Sequence, residues 1–161
     1  MSNLRALYTA IAGIDLAFTA EAGGSVTPTV YDLHELPNTA ETADLPMRVL
    51  LPLEEWGGEG PTFDMISVGT SSVSGLMFWN VVDLMLYDAV GQTRGMLDIL
   101  ADLVRYSAAY VDMLANNRVP TANIQLMNVA IRPGVYEWPI QSGRSYFGVE
   151  CALVYQELIN A

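Results

Sequence analysis

LMFWNVVDLMLY, Leu76 to Tyr87, is apolar on every face, and whether it is a strand or a buried helix decides the fold of the whole chain. Its length suits either, because a strand covered on both faces and a helix wrapped in core both read as continuous apolar runs. Its content favours a strand: Phe78, Trp79, Val81, Val82 and Tyr87 are aromatic or β-branched. The run therefore predicts the central strand of a sheet. Asn80 and Asp83 interrupt the surrounding segment from Gly75 to Leu86, which is also too short to span a bilayer.

The segment that follows has a different period. Gly91 and Thr93 open TRGMLDILADLVRYSAAYVDMLANN, in which Met96, Leu100, Leu103, Ser107, Tyr110, Val111 and Leu114 form one helical stripe. Asp98, Asp102, Arg105, Asp112 and Asn116 fall on the other faces, and Asn116, Asn117 and Pro120 stop the helix. Asp98 and Asp102 lie one turn apart in the first turns, where acids favour the helix dipole and meet solvent. That reading is preferred to a proton-sharing or Mg²⁺-holding pair, and the same holds for Glu54-Glu55.

Beyond the helix, Ile124 to Ile131 reads as a strand, Gly134 to Trp138 as its extension past the Pro133-Gly134 kink, and Tyr146 to Glu157 as the last strand. Alternation in that last strand puts Phe147, Val149, Cys151, Leu153 and Tyr155 on one face and Tyr146, Glu150, Ala152 and Gln156 on the other. Cys151, the single cysteine, can form no internal disulfide and reads as a small buried hydrophobe. Upstream, Leu4, Leu7, Tyr8, Ile11, Ile14 and Phe18 predict a helix from Ser2 to Phe18 with Ser2 as N-cap and Gly23-Gly24 closing the segment. Asp15 falls where a signal-peptide core would be apolar, so this start reads as folded and intracellular.

Between the two helices lie β candidates at Thr29 to Leu36, Met47 to Leu53 and Met65 to Val68. They are separated by the acidic loop Pro37 to Pro46 and by EEWGGEGPTFD. The order is helix, strands, helix, strands. It predicts an α+β fold, a mainly antiparallel sheet covered by two helices, in a single domain of residues 1–161 with long loops.

With 52% hydrophobic and 16% charged residues the chain is globular and reads as soluble, with no membrane partner; its length allows roughly 70% of the unfolded surface to be buried. Eighteen acids oppose seven bases, every base is Arg, and the net charge is −11. Such a surface cannot grip nucleic acid, since affinity there comes from neutralising phosphates, although DNA could slide past it.

Without Lys there is no phosphate-loop lysine and no Schiff base. With His34 as the one histidine, a His-based metal cluster is impossible, and His34 lies in an apparent strand, DLHEL, without a nucleophile elbow. The chain thus shows no catalytic residue, no metal site and no cofactor site. Phe78 and Trp79 belong to the core run. Trp56 in a Gly-rich loop and Trp138 beside a proline are harder to bury at home and read as contact residues, as do Phe63, Tyr136 and Arg144 around the same loop and the turn PIQSGRS.

The arrangement as a whole resembles the tail terminator, or tail-completion, family of long-tailed bacteriophages. The resemblance lies in the N-terminal helix, the long-looped strands, the helix ending in ANNRVP and the closing pair PGVYEWP and SYFGVECALVYQEL. In the last strand the aromatic pair Tyr146-Phe147 precedes Gly148-Val149. The resemblance implies a virion protein, assembled in the host cytoplasm, that forms a ring with itself, a hexamer, at the head-proximal end of the tail tube. Its partners would be the tail-tube protein and the head-tail connector protein, with DNA passing through an acidic channel and the arginines used in ion pairs between subunits. The hairpin from Ala130 to Glu157 would finish the sheet and leave its turn, Tyr136 and Trp138 for a neighbour.

Three other readings fit the composition. A neck or tail-tube protein would share the acidic surface and loops. A small ligand-binding domain or enzyme would centre on His34 with Asp32 or Glu35. A DNA mimic would need its acids aligned on one face, and they are spread evenly instead.

Overall fold

The computed structural model describes residues 4–31, 44–52, 62–68, 73–91, 94–139 and 141–160. In chain order the elements are α1 (Leu4–Ala12), β1 (Phe18–Thr19), β2 (Ser25–Val26), β3 (Thr29–Tyr31), β4 (Met47–Pro52) and β5 (Thr62–Val68), then β6 (Val73–Ala89), α2 (Met96–Asn116), β7 (Ile124–Glu137) and β8 (Ser145–Asn160). The α+β class and the mainly antiparallel sheet are as the sequence predicts. Among the described residues no helix is long and apolar enough to cross a membrane.

Leu76 to Tyr87 is indeed strand, and it is central. β6 pairs antiparallel along nearly its whole length with β8, while its other side takes β4 over residues 81–86 and β5 over residues 73–78, end to end. β7 closes the far edge against β8, and β3 adds to β4 as the one parallel pair among the described strands. The run is apolar on both faces because over residues 81–86 both faces are buried. One face carries Trp79, Val81 and Met85 with Val149, Cys151, Leu153 and Tyr155 into a core shared with α1 and α2. The other carries Val82, Leu84 and Leu86, with Met47, Val49 and Leu51, into a second cluster closed by Trp138 and Tyr146. Gly148 is needed in this sheet, since a Cβ there would collide with the backbone carbonyl of Met85 on the adjoining strand.

Two helical expectations are corrected. The N-terminal helix stops at Ala12, where the Gly13 N–H bonds back to Thr9 at 2.9 Å, and does not reach Phe18. Phe18 keeps its place in the core from β1 instead, meeting the Tyr106 ring edge-on at 5.6 Å. Gly23 and Gly24, with φ of 83° and 100°, turn the β1–β2 hairpin and do not end a helix. Ser2, the expected cap, lies outside the described residues, as does most of the expected Thr29 to Leu36 strand.

The second correction concerns α2. Its buried residues are Ile99, Asp102, Leu103, Tyr106, Tyr110, Met113 and Leu114, a stripe rotated by about a fifth of a turn from the one read in the sequence, at roughly 3.6 residues per turn. Leu100 and Val111 point outward, and Asp102 points in. The helix begins at Met96, with the Asp98 carboxylate accepting the Gly95 N–H at 3.0 Å. It ends where the Asn116 and Asn117 side-chain amides bond the Asp112 and Met113 carbonyls at 2.9 and 2.8 Å.

Candidate interaction surface

Among the described residues, a set of polar side chains is buried under α2. Arg48 in β4 and Asp83 in β6 point into the helix-covered core, both fully buried. Arg48 Nη2 donates to Asp83 Oδ2 at 2.5 Å and Nε donates at 3.2 Å, while Nη1 donates to the Ile14 carbonyl at 3.1 Å. The Tyr110 hydroxyl donates to the same carboxylate at 2.7 Å. Burial alone would push Arg48 toward neutrality, but Asp83 outweighs it and keeps the guanidinium charged. One closed set of bonds thus ties β4, β6, the loop after α1 and α2 together. Burial holds the phenols of Tyr106 and Tyr110 and the Cys151 thiol well above their ordinary pKa values, so none of them supplies a nucleophile near neutral pH. The Cys151 reading as a buried small side chain stands.

A second node lies at the start of α2. Asp102, 2% exposed, accepts the Glu21 N–H at 2.6 Å and the Tyr87 hydroxyl at 2.8 Å, with Arg94 Nη2 3.6 Å away. Burial opposes its ionisation, yet the Glu21 N–H, Tyr87 and Arg94 prevail and hold its pKa below the usual Asp value. Burial and the bond to Asp102 push Tyr87 up to about 12. Asp102 is therefore a buried anchor for the β1–β2 hairpin, and the expectation of a solvated helix-start acid holds only for exposed Asp98. From the sequence, Asp102 is weighed only as a pair with Asp98, and neither node is placed. The signal was present: a lone Arg in MRVLLP and a lone Asp in VVDLMLY, opposite charges one per apolar strand.

Four arginines pair with acids of their own chain: Arg48 with Asp83, Arg94 with Asp102, Arg105 with Glu21, and Arg132 with Glu150. Of these four only Arg48 is buried and so withdrawn from any neighbouring subunit; Arg94, Arg105 and Arg132 stay accessible beside their own acids.

The expected contact residues separate into groups. Phe63 is exposed on β5, its ring lying over Gly75 of β6, where a Cβ would strike it. Arg144 is exposed in the β7–β8 turn, beside Gln141 and Gly143 with φ of 66° and 72°. Tyr136 is half-buried, its hydroxyl donating to the Arg132 carbonyl at 2.5 Å. Trp138 corrects the expectation that it is hard to bury at home: it is 5% exposed, packed into the second core cluster, with its backbone N–H donating to the Arg144 carbonyl at 3.0 Å. The β7–β8 turn folds it back over the sheet. Trp56 lies outside the described residues, as do His34, Asp32, Glu35, Glu54 and Glu55.

Among the described residues most of the exposed apolar side chains lie elsewhere. Leu97, Leu100, Val104 and Val111 line the outer side of α2; Met127, Val129 and Val135 stand on edge strand β7; Ile66 and Leu158 lie at the far end of the β5, β6 and β8 strands. Two shallow hollows of about 300 and 260 Å³ adjoin the turn after α2, lined by Arg118, Met127, Val119 and Leu158 among others, with no acid, His or Cys. Among the described residues no group of three or more His, Cys, Asp and Glu is placed to hold a metal. The chain matches no model of a known protein family, and no curated protein is significantly similar to it.

Proposed function

We propose that this chain is a structural protein of a long-tailed phage, a tail terminator that forms a ring on the head-proximal end of the tail tube, stops tube growth and joins the tail to the head connector. The observation that carries this reading is where the chain spends its side chains. Among the described residues the buried Arg48, Asp83 and Tyr110, and Asp102 with Tyr87, are closed into bonds within the chain, while apolar side chains stand outward on α2, β7 and the β5–β6 hairpin. Exposed apolar surface of that extent suits contact with other proteins, and polar groups locked beneath a helix do not suit turnover of a substrate. The charge of −11 suits a channel wall past which DNA moves without adhering.

The test is the native mass of the purified chain by light scattering, with negative-stain images taken alone and after adding a tail-tube protein. Closed rings, free or on the ends of tubes, are the expected result. Long filaments of the chain itself would replace the terminator reading with a tube protein, and a monomer that binds no tube end would overturn both.

A further inference from the structure

The outward side of α2 carries a second apolar line with its own regular spacing. Leu97, Ala101, Val104, Ala108, Val111 and Ala115 recur at four, three, four, three and four residues. At 100° per residue they fall within about 40° of a single line, roughly opposite the buried stripe. Leu97 is 87%, Val104 54% and Val111 51% exposed, and Ala108 and Ala115 are exposed as well. This is the spacing of a helix-packing seam, and its alternating alanines let a second helix approach closely.

Its charges indicate the occupant. The flank beside the seam carries Asp98, Arg105 and Asp112, seven residues apart and alternating in sign. The opposite flank carries Leu100 and Ser107 and no charge. In a parallel pair of copies the charged flank would face the uncharged one. In an antiparallel pair it faces itself. Full overlap then sets Arg105 against the partner's Arg105, whereas a shift of one heptad sets Arg105 against the partner's Asp98 or Asp112, twice by symmetry. Arg105 already bonds Glu21 through Nη2, and its guanidinium keeps further donors free. Copies with eighteen acids against seven bases repel over most of their surfaces, and this flank, with both signs in alternation, is one where they can meet.

We infer that the outer face of α2 binds a second copy of this chain through an antiparallel, two-fold helix pairing built on Leu97, Val104 and Val111 and set in register by Arg105 with Asp98 or Asp112. Exposed ion pairs contribute little energy, so the apolar seam supplies the affinity and the charges choose direction and shift. A two-fold contact couples copies in pairs and does not close a ring, so this inference stands apart from the ring reading.

The test uses the full chain in sedimentation equilibrium over a range of concentrations. Wild type should associate in pairs through this face. Arg105→Asp, whose flank is all negative, and the double variant Asp98→Arg/Asp112→Arg, whose flank is all positive, should each lose the pairing while melting as folded proteins. Their equimolar mixture should restore it as a heterodimer in any antiparallel register. Ala108→Arg, on the seam centre and tolerant as a surface helix position, should lose pairing at least tenfold and carries the test if a charge reversal unfolds. A wild type that stays unpaired, or seam variants that associate as wild type does, would overturn the inference. Rings formed by wild type and every variant, with pairing that the substitutions leave unchanged, would sink this contact and leave the ring reading standing; wild-type pairs without rings would do the reverse.

Discussion

The two sides of α2 are both apolar, and only one is core. Inward, Ile99, Leu103, Tyr106 and Tyr110 are fully buried. Outward, Leu97, Val104 and Val111 meet solvent with a spacing at least as regular. Hydrophobicity therefore does not choose between them. The choice follows from polar partners: Tyr110 has Asp83 beneath it and Asp102 has Tyr87 and the Glu21 N–H, bonds that only one rotation of the helix can make. A buried polar group left without a partner costs about 1–3 kcal/mol, enough to decide between two apolar faces of similar size.

The sharpest way to break that asymmetry is to remove its anchor. Asp83→Ala leaves the Arg48 guanidinium buried and unpaired and should destabilise the fold by about 3–5 kcal/mol in urea unfolding. Replacing both partners, Arg48→Met with Asp83→Leu, should recover most of that loss. If the double variant is no better than the single one, the pair fixes the helix seat in a way that packing cannot replace. Next comes a matched truncation: Ile99→Ala on the inner side should cost about 2–5 kcal/mol, because it opens a cavity in close-packed core. Val104→Ala on the outer side should stay within about 0.5 kcal/mol for the folding of a single copy.

Asp102 sharpens the comparison through pH. Its folded pKa lies below its ordinary value of 3.8, so its ionised form contributes stability that is present above that value and lost as pH falls through the lower folded one. Asp102→Asn should cost about 1.5–3 kcal/mol at neutral pH, the scale of hydrogen bonds to a charged group, and should flatten the acid limb of the stability profile. An unchanged acid limb would mean that Asp102 is not the group that titrates.

How much of this was legible depends on the kind of signal each residue leaves. Leu76 to Tyr87 declared itself a strand because β-branched and aromatic side chains filled a run apolar on both faces, and over residues 81–86 both faces proved to be core. The alternation of β8 was read correctly for the same local reason. The rotation of α2 was not legible, because Leu97, Val104 and Val111 on one side and Ile99, Leu103 and Tyr106 on the other give a helix with two apolar faces. A stripe drawn from Met96, Leu100, Leu103 and Val111 falls between them. The deciding bonds from Tyr110 to Asp83 and from Tyr87 to Asp102 join elements 27 and 15 residues apart, beyond what periodicity reports. Trp138 misled for a related reason. Its neighbours in sequence mark a turn, and the core it enters belongs to β4, β6 and β8.

The smallest effect on folding is also the most informative about the outer face. Leu97→Gln removes the most exposed apolar side chain of the helix, in the first turn, where glutamine is nearly as good a helix former as leucine. Nothing in the single copy packs tightly on that position, so its melting temperature should hold, within the range of about 0.5 kcal/mol typical of surface changes. Self-association, followed by sedimentation, should weaken at the same time. A residue that costs nothing in the fold and something in assembly separates the two faces of α2 by function. If Leu97→Gln lowers the melting temperature of dilute single copies, the outer line is part of the fold, and the asymmetry between the faces is one of degree.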